Sequence, residues 1–554
     1  MFNLKSIYFY FLALQISLIK FIKKIYFSSD YYSSSLASKT PNQFFFHPNP
    51  FLLSTITNYK KYSFKVGEID PNIFWVVSKH NNEEKEMHSF LWLNLIDRKN
   101  DGKIIQRTID VWILKHSRYK RNIWDSSVLS KRIISWILNV DIILNNATFD
   151  FKKKFLDSLI SQTNHLKKNI KFEKDYSKRI EVLTALSLSG LVFKEYEDNY
   201  EIGIKELEKL VKNFFDDDGF PLSRNPSDLI FYTKYLLLCK ECITDAQQYI
   251  PDFLDTITNK NLICIKNILT PNINVPLFNG ASEENLEEFS EFVNDSKYKS
   301  KDKKKVIGGI YALNIKNHSY LFDTGEPPKK SFSKSYQSGP LSFEYYIEGK
   351  KIITNCGFGS NISPKAELLS RLTSAQSTLT INDTSVTKFE RNKIINKIFG
   401  NSIKNSFKIS NVDFNENEDH VKVCATHNGY EQNFGCTHKR KILFNKKTKN
   451  LEGFDELVKE KNGKPINYNI RFHIYPGLTT VKTISGNSVL IQLSKNKSLL
   501  FIFKGESIML EKSIFLGGNK ILKNTCVTVS GNLVNKDKTI PVSYTHLRAH
   551  ETRG

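Results

Sequence analysis

Apolar residues recur at two different spacings along the chain. From residue 88 onward they recur every three or four positions, as on one face of an α-helix. Short polar stretches separate these runs, which predicts amphipathic helices packed as antiparallel pairs. The clearest stripes are Ile133, Ile134, Trp136, Ile137 and Val140, then Phe155, Leu159, Ile160 and Leu166, and then Ile204, Leu207, Leu210, Val211 and Phe214.

Beyond a polar, charged connector at residues 272–303, the spacing becomes two, which is typical of β-strands. The clearest case is a predicted hairpin that turns at Glu348-Gly349-Lys350. Its first strand carries Leu341, Phe343, Tyr345 and Ile347, and its second carries Ile352 and Ile353. Seven further alternating segments, separated by turns such as NKKTKN and SGNS, predict an antiparallel β-sandwich. We expect the domain boundary between residues 272 and 305.

Both ends of the chain depart from these patterns. Residues 7–19 are apolar and are followed by Lys20, Lys23 and Lys24. Within an N-terminal arm of residues 1–60, this segment fits an export signal, a membrane-surface helix touching lipid through residues 7–24, or a buried helix. A cell-envelope or periplasmic location is favoured over the cytoplasm. Residues 541–554 lack strand alternation, so we expect a non-native tail and exclude them from any site.

Composition narrows the class of partner. The chain has 554 residues and a net charge of +23, which suits a polyanion, although the excess is mostly Lys amid abundant Asn and Ile and also fits coding bias. No zinc-finger spacing or RNP motif is present, so we expect no nucleic-acid partner. The seven cysteines do not form a disulfide framework. Cys239 and Cys242 are expected to be a buried structural pair.

Four blocks of the second half occur in one order: SYQSGPLSFEYYIEGKKIITNCG, SAQSTLTINDTS, HNGYEQNFGCTHKRKIL and RFHIYPG. Together they resemble the C-terminal β-domain of the heparinase II/III-like family of polysaccharide lyases. The resemblance implies an incomplete α/α toroid over residues 61–275 and an antiparallel β-sandwich over residues 300–540. It also implies an acidic glycan bound in the cleft between the two domains.

The family's structural zinc site has different residues here. In many members, the second His of a His-x-His pair, an Asp and a later His hold the zinc. Gln337, Asn355 and Gln376 stand at those places, and Ser335 stands at the leading His. Because neutral amides are poor zinc ligands, we expect no zinc and no other cofactor. A second metal arrangement, the cluster His427, His438 and His473, has no short ligand spacing to support it.

Two further segments resemble the family's catalytic region. DDDGFPLSRNPSDLIFYTKY, residues 216–235, predicts a loop that opens a helix, and in the family a DG…R-x-P segment here delivers a catalytic Tyr. Simple register puts Asp228 at the Tyr position, with Tyr232 one turn further along the same face. The family's Asn-His pair corresponds to Ser177-Lys178 in this chain.

A uronate lyase must neutralise a carboxylate, remove the adjacent C5 proton and protonate the departing oxygen. The predicted catalytic residues are Tyr232, Arg224, His438 and Tyr430, and the predicted substrate-binding residues are Asn225, Lys178, Trp124, Arg132 and His427. Each has a structural alternative, in which Arg224 pins a loop, Tyr232 is a core aromatic, and the histidines are bonded within the sheet. His438 and Arg440 share one strand face, and Trp136 is expected in the core.

Three functions remain open at this point. The first is a carbon–oxygen lyase that cleaves an acidic, uronate-containing polysaccharide by β-elimination. The second is a glycan-binding or cell-envelope biogenesis protein that has lost elimination chemistry. The third is a toroid glycoside hydrolase that uses carboxylates such as Asp216 or Asp218.

Overall fold

The computed structural model describes residues 4–56, 70–75, 81–99, 101–269, 274–295, 304–315, 317–392, 395–396, 400–459, 465–503, 505, 507–533 and 537–548. The chain forms two compact units. The helical unit comprises Met1–Phe215, Ile230–Leu262 and Asn285–Lys299. The sandwich unit comprises Asp216–Leu229, Ile263–Glu284 and Ser300–Gly554. Residues 216–229 and 263–275, which lie within the predicted toroid domain, group with the strands in this division.

Fourteen helices of the described residues precede the strands. They are α1 Leu4–Phe27, α2 Asp30–Leu36, α3 Leu53–Ile56, α4 Pro71–Phe74, α5 Asn81–His88, α6 Gly102–His116, α7 Ser126–Leu138, α8 Val140–Leu144, α9 Phe149–Asn169, α10 Tyr176–Val192, α11 Glu197–Phe214, α12 Pro226–Asp245, α13 Asp252–Ile268 and α14 Glu287–Asp295. None of these described helices is long and apolar enough to cross a membrane.

The core of the helical unit follows the predicted apolar stripes. Ile133, Ile134 and Trp136 of α7 are completely buried, and the Trp136 ring meets Trp112 edge to face at 5.4 Å. Helices α10 and α11 approach closely because of glycine. A Cβ at Gly190 would lie 2.2 Å from the backbone nitrogen of Tyr200. No side chain larger than hydrogen fits there without moving the helices apart.

The cysteines take part in packing. All seven are free and buried. Cys239 and Cys242 lie in α12, and burial raises the pKa of the Cys239 thiol to about 12. A thiol that stays protonated at neutral pH is a poor nucleophile and a poor metal ligand. The expected structural role of this pair is confirmed.

Helix α1 presents an apolar surface to solvent. Phe11, Leu14 and Leu18 are 66%, 69% and 57% exposed. The end of the helix is anchored where the Phe27 ring packs 4.7 Å from that of Tyr32. A buried helix was one of the three alternatives, and it is wrong for these side chains. Contact of residues 7–24 with a membrane surface stays a prediction.

The described strands form two antiparallel sheets. One has the order β1-β2-β3-β4-β5-β11-β16-β15, with β6 paired to β11, and the other has the order β12-β13-β14-β17-β10-β9-β8-β7. The bounds are β1 Val306–Ile307, β2 Ile310–Ile315, β3 His318–Asp323, β4 Phe343–Ile347, β5 Lys350–Thr354, β6 Leu379–Ile381, β7 Ile409–Glu416, β8 His420–Tyr430, β9 Cys436–Asn445, β10 Leu451–Lys459, β11 Ile466–Ile474, β12 Thr479–Lys482, β13 Ser488–Ser494, β14 Lys497–Phe503, β15 Ser507–Phe515, β16 Leu522–Leu533 and β17 Asp537–Arg548. Two short helices accompany them, α15 Pro364–Ser370 and α16 Glu431–Phe434.

Aromatic side chains join the two sheets into a sandwich. Phe472 of β11 contacts Phe343 of its own sheet and Phe501 of the other sheet, with ring centroids 6.0 and 5.0 Å apart. The predicted hairpin is also present as β4 and β5. Its turn residues Glu348 and Gly349 both have positive φ, 50° and 74°. Two such residues give the turn twist that suits antiparallel strands.

Residues 541–548 of the predicted tail form part of a strand, although the sequence shows no strand alternation there. The non-native origin of the tail stays a prediction. Strand β17 lies inside its sheet, between β10 and β14, and Pro541 stands opposite Phe454. Proline normally argues against a central strand because it cannot donate a ladder hydrogen bond. Pairing with two neighbouring strands supplies hydrogen bonds that the local sequence pattern does not reveal. Residues 549–554 lie outside the described part of the chain.

Candidate functional site

The N-terminus of α10 gathers polar groups in the helical unit. Asp175 caps the helix by accepting hydrogen bonds from the backbone nitrogens of Ser177 and Lys178, at 3.0 and 3.4 Å. The Lys178 ammonium donates to Asp125 Oδ2 at 2.6 Å. Burial acts to lower the pKa of Lys178, but the hydrogen bond and charge of Asp125 outweigh it and leave the pKa raised. Lys178 is therefore a fixed cation, and its side chain is 37% exposed.

Tyr232 of α12 reaches the same helix end. Its hydroxyl lies 3.4 Å from Ser177 Oγ, and its ring stacks on Phe214 at 4.1 Å. The side chain is only 1% exposed, so the predicted core-aromatic role holds for the ring. The structure thus brings Tyr232 to Ser177, and each belongs to one of the two segments that the resemblance marks as catalytic.

Arg224 pins the loop before α12 within the sandwich unit. Its Nε donates to the carbonyl of Gly308 at 2.8 Å, its Nη1 donates to the carbonyl of Glu326 at 2.9 Å, and its Nη2 pairs with Asp323. A Cβ at Gly325 would lie 2.2 Å from Nη2, so glycine is needed where the guanidinium passes. Every nitrogen of the buried guanidinium has a partner. The loop-pinning alternative for Arg224 is favoured over direct contact with substrate.

A cavity of about 420 Å³ lies beside this loop, and we call it the loop pocket. Its walls include Asp216, Asp218, Arg224, Glu326 and Lys329. Asp216 fixes the turn by accepting from the backbone nitrogens of Asp218 and Phe220, at 3.0 and 2.7 Å. Burial raises the pKa of Asp216, while Asp218 forms an ion pair with Lys304. The carboxylates invoked for a hydrolase are thus both engaged in holding the loop.

Asn225 and Asp228 also form hydrogen bonds that hold the loop and the start of α12. Asn225 Oδ1 accepts from the backbone nitrogen of Ser227 at 2.9 Å, which is the geometry of a helix cap. The Ser223 hydroxyl donates to Asp228 Oδ2 at 2.6 Å. Asn225 is 4% exposed. Its predicted contact with substrate stays a prediction, whereas its capping role is visible.

His427 and His438 face each other across β8 and β9, inside the sandwich. The backbone N–H of Gly429 donates to His427 Nδ1 at 3.1 Å, so the proton of this neutral ring is on Nε2. That nitrogen donates to His438 Nδ1 at 3.1 Å. His438 Nε2 then donates to Asp455 Oδ1 at 2.6 Å. Burial lowers the pKa of both histidines, and neither ring is exposed.

The same chain of contacts includes Arg440. Its Nε and Nη2 donate to the two oxygens of Asp455 at 2.7 and 3.1 Å, and its Nη1 donates to the carbonyls of Leu341 and Ser377. Tyr430 is also buried, and its hydroxyl donates to the carbonyl of Leu379 at 3.0 Å. The hydrogen-bonded alternative is favoured for His427, His438 and Tyr430.

Trp124 and Arg132 lie in the core of the helical unit. Trp124 is 3% exposed, and its indole N–H donates to the carbonyl of His116 at 3.1 Å. Arg132 is completely buried. Its Nε donates to Gln162 Oε1 at 2.6 Å, its Nη1 to the carbonyl of His88 at 2.8 Å, and its guanidinium lies over the Trp112 ring. These contacts favour a structural role for Trp124 and Arg132 over their predicted contact with substrate.

The amide side chains at the family's zinc positions form hydrogen bonds with nearby backbone groups. Gln337 Nε2 and Gln376 Nε2 both donate to the carbonyl of Ser370 at 2.8 Å, and Gln337 Oε1 accepts from the backbone nitrogen of Gly280. Asn355 Nδ2 donates to the carbonyl of Leu277 at 3.1 Å, and its Oδ1 accepts from a backbone nitrogen. The oxygens of Gln337 and Asn355 already accept from backbone N–H groups, and neutral amides are poor zinc ligands, so these side chains do not fit zinc.

No three His, Cys, Asp or Glu side chains of the described residues are arranged to hold a metal ion. The His427/His438/His473 cluster is therefore wrong for this structure. His473 lies elsewhere, with Nε2 against the carbonyl of Ser374 at 3.0 Å and Nδ1 3.5 Å from Cys356 Sγ.

We expect the purified protein to contain no stoichiometric zinc, because the amide nitrogens already use the carbonyls around them. Elemental analysis should find less than a molar equivalent, and a chelator should leave the thermal unfolding midpoint unchanged. One tightly held zinc per chain, lost when Gln337, Asn355 and Gln376 are replaced by alanine, would contradict this expectation.

The sequence did not reveal the aspartates that hold three of the predicted site residues in place. Asp323 holds Arg224, Asp125 holds Lys178 and Asp455 holds His438. Asp323 and Arg224 are 99 residues apart in the sequence. The only local sign was the position of Asp323, which ends an alternating strand directly before a Thr-Gly turn.

Comparison with known proteins identifies the class of the second unit. Residues 300–543 match the family model described as heparinase II/III-like, C-terminal. These residues therefore belong to the heparinase II/III-like C-terminal domain family, and the resemblance found in the sequence is confirmed. No curated protein sequence matches the chain.

Solved structures extend the similarity to nearly the whole chain. A crystal structure of heparinase III is similar over 95% of this chain and 89% of its own, at 16% identity and a TM-score of 0.68. Heparan sulfate lyase HepC from Pedobacter heparinus is similar over 94% of this chain and 88% of its own, at 16% identity and a TM-score of 0.63. At this identity the likeness establishes fold. The chain has the expected N-terminal incomplete α/α toroid followed by an antiparallel β-sandwich.

Proposed function

We propose that the protein is a polysaccharide lyase that cleaves an acidic, uronate-containing glycan by β-elimination. The observation that carries this proposal is the position of the Tyr232 hydroxyl, which lies 3.4 Å from the hydroxyl of Ser177. The next residue in the sequence, Lys178, supplies a positive charge. The helical and sandwich units have the fold of solved heparan sulfate lyases, and the net charge of +23 favours a polyanionic partner. We also propose a cell-envelope location, where such polymers are exposed.

The reaction assigns a role to each group. Lys178 neutralises the uronate carboxylate, which makes the C5 proton more acidic and stabilises the charge that develops as that proton leaves. Tyr232 transfers the proton. The electron pair of the C5–H bond forms the C4–C5 double bond while the C4–O bond breaks, and the departing oxygen takes up the proton that Tyr232 passes on from C5. Arg224 acts as a positioning residue, because it fixes the loop that begins α12.

One observation favours the second candidate, a glycan-binding protein without elimination chemistry. Tyr232 is 1% exposed, and Ser177-Lys178 stands where active family members have Asn-His. A hydroxyl and an ammonium group bind sugar hydroxyls and carboxylates without abstracting a proton. Retained glycan binding without product would support this alternative.

Replacing Lys178 by Gln should lower kcat/KM by about 10²-fold, because the carboxylate loses its counterion where charge grows in the transition state. The assay incubates the protein with a panel of uronate polymers and follows the ultraviolet absorbance of the unsaturated product. The matched control is Lys212→Gln, whose ammonium pairs with Glu208 on the exposed face of α11. Equal activity of Lys178→Gln and the unmodified protein would exclude Lys178 from the mechanism.

A further inference from the structure

A second cavity of the sandwich unit, of about 330 Å³, has a lining rich in amides. We call it the amide groove and define it by Lys388, Asn405, Lys408, Asn428, Gln432 and Asn433. Its volume is at the lower end of the range of ligand pockets, roughly 300–1,000 Å³. None of the nine residues predicted to form the site contributes to it.

Two of the amides fix the lysine backbones. Asn405 Oδ1 accepts from the backbone nitrogen of Lys388 at 2.6 Å, and Asn428 Oδ1 accepts from that of Lys408 at 2.8 Å. Their nitrogens are held as well, since Asn405 donates to a backbone carbonyl and Asn428 donates to Glu431 Oε2 at 3.1 Å. The rim that carries both lysines is thus built by hydrogen bonds.

The floor of the groove is closed by packing. Phe407 is 4% exposed. A Cβ at Gly429 would lie 2.2 Å from Val386 Cγ1, so the chain meets its neighbour there without a side chain. The backbone nitrogen of Gly429 is tied to His427 Nδ1 at 3.1 Å. The buried histidine pair therefore supports the floor of the groove from inside the sandwich.

Several polar groups of the groove are unengaged. With the described part of the chain, Lys388 and Lys408 make no ion pair, and the side chains of Gln432 and Asn433 make no hydrogen bond. Both lysines are exposed. Ammonium groups pair with carboxylate or sulfate, and amides offer a donor and an acceptor to a hydroxyl. Two carboxylates, Glu326 and Glu431, also line the groove, and Glu431 accepts from Asn428. The lysines can therefore bind an anionic group of a sugar, while the free amides bind its hydroxyls.

The groove and the loop pocket share one lining residue. Glu326 lines both cavities, and its carbonyl is held by Arg224 Nη1 at 2.9 Å. The two cavities therefore lie next to each other at Glu326, close enough for neighbouring sugars of one chain.

We propose that the amide groove is an accessory subsite that holds further sugars of the same acidic glycan. The inference rests on the proposed function for the identity of the polymer. Lys388 and Lys408 bind the anionic groups of a sugar beyond the loop pocket, and Gln432 and Asn433 bind its hydroxyls. The groove thus favours long chains over short ones.

The test compares binding of long and short oligosaccharides by isothermal titration calorimetry, with size-defined fragments of heparan sulfate, alginate and polygalacturonate as probes. The variant Lys388→Gln/Lys408→Gln removes two charges from the groove. Lys495→Gln/Lys520→Gln removes two charges from exposed positions that line neither cavity. Gln432→Ala/Asn433→Ala removes hydrogen-bonding groups without changing charge.

The unmodified protein should bind the long fragment of its preferred polymer more tightly than the short one. The lysine variant should weaken long-chain binding by about fivefold, as expected for the loss of two exposed ion pairs, and so reduce the ratio of long-chain to short-chain affinity. The control should leave that ratio unchanged. An unchanged ratio in both groove variants would overturn the subsite while leaving the lyase function standing. Absence of both binding and product with every polymer would contradict the proposed function and the subsite together.

Discussion

Replacing Tyr232 by Phe should abolish formation of the unsaturated product and leave the fold intact. General acid–base catalysis by a positioned side chain contributes about 10² to 10⁴-fold to a rate, and Phe has no proton to transfer. The ring and its stacking on Phe214 remain. The hydroxyl lies 3.4 Å from Ser177 Oγ, and loss of a neutral hydrogen bond costs about 0.5–1.5 kcal/mol in unfolding free energy.

The matched control for this variant is Tyr235→Phe. Tyr235 lies on the same helix, is buried like Tyr232, and donates its hydroxyl to Glu181 at 3.2 Å. It should keep its activity, because its hydroxyl points to a structural carboxylate. Initial rates by ultraviolet absorbance and unfolding midpoints should be measured on both variants. Unchanged product formation by Tyr232→Phe would remove Tyr232 from the mechanism.

Replacing Asp455 by Asn should destabilise the protein by about 3–5 kcal/mol. Breaking a buried ion pair from one side leaves the other charge uncompensated in a medium of low polarity. Here the remaining charge is Arg440, which is 1% exposed and is bonded to both oxygens of Asp455. The Asn amide oxygen can replace Oδ1, but its NH₂ group takes the place of Oδ2 and faces the Nη2 donor of Arg440. Denaturant unfolding followed by circular dichroism measures the change.

The pH dependence of stability offers an independent check on Asp455. Burial acts to raise the pKa of Asp455, but Arg440 and His438 outweigh it and lower the pKa to about 2. An unfolded Asp titrates near pH 3.9. The carboxylate therefore stabilises the fold above about pH 4 and loses this contribution as the pH falls toward 2. The Asn variant should lack this part of the acid dependence.

The control is Asp413→Asn, which removes an exposed ion pair with Lys422 in the same unit. Exposed pairs contribute about 0–1 kcal/mol. A variant of Asp455 that is as stable as this control would show that the buried network does not hold the sandwich together.

Local periodicity predicted the elements better than it predicted their partners. Ile133, Ile134 and Trp136 follow a helical stripe and are buried, and the turn at Glu348-Gly349 is where the sequence placed it. Such signals depend only on neighbouring residues. Strand β17 was missed because its pairing with β10 and β14 depends on residues far away in the sequence.

The candidate site shows the same division. Register alone predicted that His438 and Arg440 share a face, and both contact Asp455 on the next strand. Whether a face points to solvent or to the opposite sheet is decided by packing of the sheets. His427 and His438 were consequently predicted at a site although they lie in the core. The amide groove was missed because its lining comes from four separate segments, and only residues 428–433 fall within a block that resembles the family.

The most direct test of elimination is mass spectrometry of the products formed in water enriched in oxygen-18. A lyase adds no water to the glycan, so one product should be lighter by one water than the corresponding hydrolysis product and neither should carry the label from cleavage. A saturated product with oxygen-18 at the new reducing end would contradict elimination and identify a hydrolase.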